Sequence, residues 1–453
     1  MELNLIDKNY IKLIKELLGN GSLNELNNLL TQLHPEDLVV LINQLSLEEQ
    51  ITILSQIERE MLVKVLVNLD EPTRDLFFES YTPAEIANEF IEHMDSDDAA
   101  FVLAQLPEQI KDEVLSNLND ITYASQLLAL LNYKENTAGS LMAVELVKTA
   151  LNASVQSCIE EIRTQAENVN SIYVVYVVDE FERLVGLITL KNLILASPDA
   201  LIAEVCNKQV ISVSTSASIE EISNITRKYD LVVLPVVDAI GRLVGRITVD
   251  DVVEIMHDEA DEDYQLMSGI TEDVVSTDKV WILSRARLPW LIIGLFGGIA
   301  SSRFLELYED QIRIHPEMAF FMPLIAAMGG NAGVQSSAIV VQGLVNDTLG
   351  SKNIIQKILK ESRVALLNGL ICSAIILIYG YFFAPNSTMS GVVSLALMTV
   401  IVFASIFGTM VPMLLHKLKI DPAIATGPFI TTTNDLLGIA IYFSLGHFFY
   451  QPS

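Results

Sequence analysis

The uneven distribution of charge constrains this chain's fold more than any single motif. Residues 1–280 hold 49 Asp/Glu against 18 Lys/Arg, whereas residues 281–453 hold 8 against 10. After Trp281 come five apolar stretches, near 287–305, 318–345, 363–384, 390–415 and 424–449. Each has the roughly 20 residues a bilayer core demands. A soluble polyanion followed by a five-span α-helical membrane domain is therefore expected. A net charge of −31 over the first 280 residues repels phosphate backbones, which argues against nucleic acid as a main partner and in favour of cations. Cys158, Cys206 and Cys372 lie far apart without a CxxC, so neither a disulfide framework nor a zinc site is expected, as suits a reducing cytosol.

The run Met1 to Lys8 has neither the basic flank nor the apolar core of a signal peptide and alternates as an amphipathic helix does. The first 280 residues are thus expected in the cytosol. Lys and Arg near span ends favour the cytoplasmic side. Loops after spans two and four hold Lys352, Lys357, Lys360, Arg363, Lys417 and Lys419; those after spans one and three hold Arg303 and Arg313, and Arg285 and Arg287 precede span one. Five spans then leave the tail Tyr450–Ser453 outside. This predicts a multi-pass protein of the cell (inner) membrane with cytoplasmic N-terminal domains.

Carboxylates are nearly absent from the spans, and the exception is Asp435, about halfway along the fifth. A charged carboxylate at mid-bilayer costs a few kcal/mol, which makes it a functional candidate; an Asp kept for helix packing is the competing reading. Thr431, Thr432, Thr433 and Asn434 add hydroxyl and amide oxygens beside it. The second span carries Met328-Gly-Gly-Asn-Ala-Gly-Val-Gln-Ser-Ser337 after Pro323. Its glycines, Gly330 among them, permit close helix contact or free backbone carbonyls. Asn331 and Gln335 share one face suited to lining a pore. Asp421-Pro422 before span five reads equally as a cytosolic vestibule or a helix cap.

Residues 1–134 read as an all-α array of stacked short helices, an interaction surface. Their starts are marked by the capping boxes Ser46-Leu-Glu-Glu49 and Thr82-Pro-Ala-Glu85 and by Pro35, Pro72 and Pro107. Asp95-Ser-Asp97-Asp98 is either a solvated helix cap or a source of metal oxygens. Residues 135–248 alternate β-branched runs with helices and contain a repeat: Val177-Val-Asp179 with Arg183-Leu-Val-Gly186 recurs as Val236-Val-Asp238 with Arg242-Leu-Val-Gly245. Each copy reads as a β-hairpin turning at Glu180–Glu182 or Ala239–Gly241.

These tandem α/β modules resemble a pair of CBS (cystathionine-beta-synthase) domains. Thr248-Val-Asp-Asp251 matches that family's Ser/Thr-x-x-Asp, whereas the first copy has Asn192 in place of the acid. The resemblance implies an adenine nucleotide, ATP for example, at Thr248 and Asp251; modules that only dimerise are the competing reading.

Residues 249–280 form an acidic connection. Between Arg246 and Lys279 no basic residue occurs, yet there are eleven carboxylates: Asp250, Asp251, Glu254, Asp258, Glu259, Asp261, Glu262, Asp263, Glu272, Asp273 and Asp278. Asp250, Glu254, Asp258 and Glu262 make one helical stripe on which like charges repel. An oxygen-only set suits a hard divalent cation, Mg²⁺ or Ca²⁺; a solvated charged face is the plainer alternative. A gate follows from the first reading: abundant cation bridges these carboxylates to neighbouring domains, and scarcity restores repulsion.

In this order, helical array, CBS pair, acidic helix and spans 281–453, the chain resembles the MgtE family of bacterial magnesium channels. The most specific match is Pro323 with Gly329-Gly-Asn-Ala-Gly-Val-Gln335, then Asp421-Pro-Ala423 and Asp435. The resemblance implies a homodimer in the lipid bilayer, with a pore between subunits where Asp435 faces hydrated Mg²⁺. It also implies a plug helix that closes when cytosolic Mg²⁺ binds. The implied sensor positions are Asp251, Glu254, Glu259, Glu262 and Asp263, with Glu220 and Asp230 in the second module and carboxylates of Asp95, Asp97 and Asp98. No enzymatic activity is expected. A broader Co²⁺, Mn²⁺ or Ca²⁺ channel and a non-transporting Mg²⁺ sensor are the rival functions. An intramembrane aspartyl protease would need a second deep carboxylate.

Overall fold

A computed structural model describes residues 8–166, 169, 171–272, 274–275, 279–345, 354–383, 387–425 and 427–450. Asp273, Asp278, Lys352 and the tail beyond Tyr450 lie outside the described residues. The chain forms two compact units, Met1–Ile255 and Met256–Ser453.

In the first unit, short helices run from Lys8–Asn20 to Ile121–Leu131. Both capping boxes form: the Ser46 and Thr82 amides each donate to the Glu three residues on, at 2.8 Å. Pro35 and Pro72 sit in the first turn of their helices, where a missing N–H costs nothing. The apolar faces meet in one core through Leu26, Leu41, Ile53 and Leu66. Buried Arg74 donates to the carbonyls of Leu66, Val67 and Leu69 and to Gln105, closing the end of helix Arg59–Val67.

Among the described residues two three-stranded sheets follow. In the first, β1 (Lys148–Ala150) runs parallel to β2 (Val174–Val178), which pairs antiparallel with β3 (Leu184–Thr189). In the second, β4 (Val213–Ser214), β5 (Val233–Val237) and β6 (Leu243–Thr248) repeat that order and sense. Strand alternation explains the β-branched runs: Val175, Val177 and Ile188 fill the first module's core, while Tyr176, Val178, Val233 and Leu243 pack together on the opposite faces. The repeated Asp is a turn former. Asp179 Oδ1 accepts from the Phe181 and Arg183 amides, and Asp238 Oδ1 from those of Ile240 and Arg242. Glu182 and Gly241, at matching places in the two hairpins, take the left-handed backbone with φ of 61° and 86°.

The connecting helix spans Val249–Met267, and among the described residues five long helices follow: Val280–Glu306, Met322–Val345, Ile354–Phe383, Ser387–Lys417 and Gly427–Tyr450. The fourth is central, packing along the second, third and fifth. Its Val393, Ala396, Leu397 and Val400 form the core with Tyr442 and Phe443 of the fifth. Among the described residues four helices are long and apolar enough to cross a membrane: Val280–Glu306, Pro316–Leu344, Ile354–Phe383 and Thr388–Lys417. The fifth has the length, but Thr431 to Asp435 lowers its apolarity. The third helix begins well before the expected 363, so Lys357, Lys360 and Arg363 lie in its first turns and not in a loop. Arg285 and Arg287 likewise belong to the first helix. A hydropathy pattern registers only the apolar middle of such helices, and their charged ends extend beyond it.

Candidate functional site

In the membrane unit the polar residues of the fifth helix point in different directions, and glycines on its neighbours decide where. Gly330 of the second helix leaves room for Asp435: a methyl on Gly330 would lie 3.3 Å from Asp435 Oδ1 and 3.2 Å from Thr431. Thr431 spends its hydroxyl on the Gly427 carbonyl at 3.0 Å. Thr432 faces the first helix at Gly297. Asn434 turns inward, 1% exposed, against Gly333. Among the described residues its amide nitrogen and oxygen find no partner. Asn434 thus belongs to the protomer interior, unlike half-buried Asp435.

On the second helix Asn331 and Gln335 are both exposed, whereas Gly333, Ser336 and Ser337 are buried. The expected shared face therefore exists and is open in the protomer. Asp421 takes the capping role: its Oδ1 accepts the Ala423 amide at 2.8 Å and shapes the turn Pro422–Ala425 that leads into the fifth helix. The start of that helix abuts the end of the connecting helix. A methyl on Gly427 would fall 2.1 Å from the Met267 carbonyl oxygen, and one on Gly269, at φ +83°, would fall 2.6 Å from Pro428. These contacts are possible only because both positions lack a side chain.

A second cluster is carried by the first unit. A π-helical turn, Ile86–Phe90, and a 3-10 turn deliver the chain to Asp95, the N-cap of helix Ser96–Gln105. Asp97 and Asp98 are part-buried there, and their neighbours are carboxylates. Burial, then Asp98, then Asp251 push the Asp97 carboxyl up to about 8. Burial, then Asp95, Asp251 and Glu254 push Asp98 up to about 7. Glu145, unforeseen from the sequence, completes the group: it accepts from the Ser96 amide at 3.2 Å and hydroxyl at 2.9 Å, and burial raises its carboxyl too. No motif in the sequence singles it out. A cleft of about 450 Å³ borders the cluster, lined by Arg59, Lys64, His93, Asp95 and Asp98 among others.

Other expected sensor positions are distributed differently. Glu220 lies in the first turn of helix Ile219–Tyr229, and Asp230 caps its other end at φ 50°. Ten residues of helical rise separate them by about 15 Å, too far to share one ion. Along the connecting helix Asp250, Glu254, Asp258 and Glu262 are exposed, whereas Asp251, Glu259 and Asp263 lie on the half-buried line. His257 is paired with Asp261 at 3.3 Å. Asp251 also receives the Thr248 amide at 2.9 Å and hydroxyl at 2.7 Å, both on Oδ2, which ties down the start of the helix. Among the described residues no three His, Cys, Asp or Glu side chains converge to hold a metal ion. Mg²⁺, which keeps several waters and takes one or two carboxylates directly, does not require such convergence.

Comparison with known proteins finds three families along the chain. Residues 322–445 match the family model MgtE, "Divalent cation transporter", residues 33–136 the "MgtE intracellular N domain", and residues 138–199 and 202–258 the "CBS domain". The chain is 34% identical over 352 residues to the magnesium transporter MgtE of Bacillus subtilis, covering 78% of each. It is 31% identical over 439 residues to that of Thermus thermophilus, covering 95% of this chain and 96% of the relative. A crystal structure of the cytosolic domain of the Mg²⁺ channel MgtE in complex with ATP superimposes with a TM-score of 0.51 at 32% identity, over 54% of this chain and 99% of that one.

Proposed function

The chain belongs to the MgtE family of magnesium transporters, and from that premise we propose that it is a Mg²⁺ channel admitting the ion to the cytosol and closing when cytosolic Mg²⁺ is plentiful. The observation that carries this reading is the placement of half-buried Asp435 beside Gly330, next to the open Asn331 and Gln335 face. Mg²⁺ gives up its waters reluctantly, so carboxylate and amide oxygens that hydrogen-bond a hydrated ion suit it as cargo. A homodimer would bring two such faces together, with Asp435 of each subunit on one path. Five spans, the fifth being the polar helix Gly427–Tyr450, keep the N-terminal domains in the cytosol and the C-terminus outside. The domain limits at 134, 248 and 280 follow from the same reading.

Gating is supported by the carboxylates Asp95, Asp97, Asp98, Glu145, Asp251 and Glu254. Each electrostatic neighbour that weighs on Asp98 is another carboxylate. Such a group holds together best with a divalent cation between its members. Glu259, Glu262 and Asp263 continue the acidic surface along the connecting helix, whose end meets the fifth helix at Gly427. Thus a change at the acids has a mechanical route to the Asp435 helix. Binding of ATP at the CBS pair is supported by Arg246, 7% exposed, whose Nε has no partner among the described residues and which lies two residues before Thr248 on β6. Thr248 and Asp251, already engaged in capping, would hold a ribose only by exchanging that bond.

The test is Mg²⁺ flux into liposomes at fixed driving force, with cytosolic-face Mg²⁺ varied. Wild type should conduct at low Mg²⁺ and fall silent toward roughly ten millimolar, a range set by ordinary weak carboxylate sites. Asp435→Ala should abolish flux. An Asp435→Ala protein that conducts normally removes the path assignment, and a wild type silent at every concentration leaves only a sensor.

A further inference from the structure

We propose that Glu361 is a positioning residue of the permeation path, fixing the rotation of the second long helix through Ser336; the inference rests on the channel reading above. Glu361 lies in the third long helix and is part-buried. Its Oε1 accepts the Ser336 hydroxyl at 2.7 Å. Ser336 is 3% exposed and follows Gln335 directly on the second helix. A hydroxyl donating to a carboxylate is a strong, short bond, stronger still away from water.

The second helix needs such a tie because its packing surface is smooth. Gly329 meets Val400, Gly330 meets Asp435 and Thr431, and Gly333 meets Asn434 and the backbone at Gly408. Small residues let helices approach closely but give few knobs to resist rotation about the axis. The polar tips lie about 6 Å from that axis, so a 30° turn would carry Asn331 and Gln335 by about 3 Å. That is a full hydrogen-bond length, enough to lose the water shell of a passing ion. The second and third helices each pack along the fourth, and the Ser336–Glu361 bond joins them directly. Glu361 therefore acts through Ser336 on the Asn331 and Gln335 face and does not itself meet the ion.

Full-length Ser336→Ala, Glu361→Ala, Glu361→Gln and the Ser336→Ala/Glu361→Ala double variant in liposomes test this, reading Mg²⁺ flux and the Mg²⁺-over-Ca²⁺ ratio, with Asp435→Ala alongside. Loss of a charge-assisted bond should lower flux and ratio about tenfold in either alanine variant. The double variant should be no worse, since both remove one bond. Glu361→Gln keeps an acceptor oxygen and should restore both readouts to within about threefold of wild type. Glu361→Ala with wild-type ratio, or Glu361→Gln as impaired as the alanine, overturns the positioning role. A conducting Asp435→Ala instead overturns the path itself, so the two failures are told apart.

Discussion

Replacing Asp97 by Asn should stabilise the metal-free protein and at the same time abolish much of its response to Mg²⁺. Asp97 is raised from 3.8 to about 8 in the folded chain, chiefly by burial and by Asp98 and Asp251. A group whose folded value is raised contributes fully below its ordinary value and loses that contribution as pH climbs through the folded value. At pH 7 the folded state has therefore forgone about 4 kcal/mol at 1.36 kcal/mol per unit. Residual solvent contact at this part-exposed site reduces that to roughly 2 kcal/mol. Asn has the same shape, carries no charge and can still accept the Asp98 amide, which Asp97 does at 3.0 Å. Trp281 and Trp290 both lie in the second unit, so fluorescence would miss the event. Hydrogen exchange of helix Ser96–Gln105 reports it locally. In EDTA at pH 7 the variant should exchange about thirtyfold more slowly than wild type if opening follows that 2 kcal/mol. Mg²⁺ at ten times its dissociation constant should slow wild type about tenfold and the variant hardly at all. Protection of metal-free wild type should also weaken as pH rises from 5 to 8. An Asp97→Asn helix that exchanges no slower in EDTA, or that keeps the full Mg²⁺ effect, refutes the electrostatic account of the cluster.

Gly427→Ala should separate the connecting helix from the fifth helix, because the added methyl meets the Met267 carbonyl oxygen at 2.1 Å and backbone cannot swing aside. Flux at high cytosolic Mg²⁺ should then approach the low-Mg²⁺ level in the liposome assay; tight closure in this variant would deny the contact a part in gating. Arg74→Ala should destabilise the first unit by about 3 kcal/mol, since two buried carbonyls and one part-buried carbonyl lose their donor. Limited proteolysis after helix Arg59–Val67 measures it, and unchanged resistance would mean that water replaces the guanidinium.

What was legible in the sequence was whatever its own periodicity determines. The two hairpins follow from alternation and from an Asp that closes each turn, and both capping boxes follow from pairs three residues apart. Asp435 stood out because a carboxylate among apolar residues is costly wherever the helix turns. Direction is another matter. Thr431 and Asp435, four residues apart, share the face toward Gly330, while Thr432 and Asn434 turn elsewhere, and the glycines at 297, 330 and 333 on other helices decide which neighbour each one meets. Nothing in the run itself tells inward Asn434 from half-buried Asp435.

The same limit explains the two carboxylates that escaped notice. Glu145 is a single acid in a loop, and only folding sets it beside Ser96, far earlier in the chain. Glu361 sits among Lys357, Lys360 and Arg363, a pattern that reads as a cytosolic loop until the helix is seen to begin at Ile354. In both cases the hydrogen-bond donor is a serine on another element. A serine carries almost no signal in sequence, being equally at home in caps, loops and helix contacts. Acidic residues in this chain therefore divide by what faces them. Exposed Asp250, Asp258 and Glu262 keep water as a partner, whereas Asp97 and Asp98 face other acids, Asp251 and Glu254 among them for Asp98, and have most to gain from a cation. That difference, more than the number of charges, makes the second group the better place for an ion to control the fold.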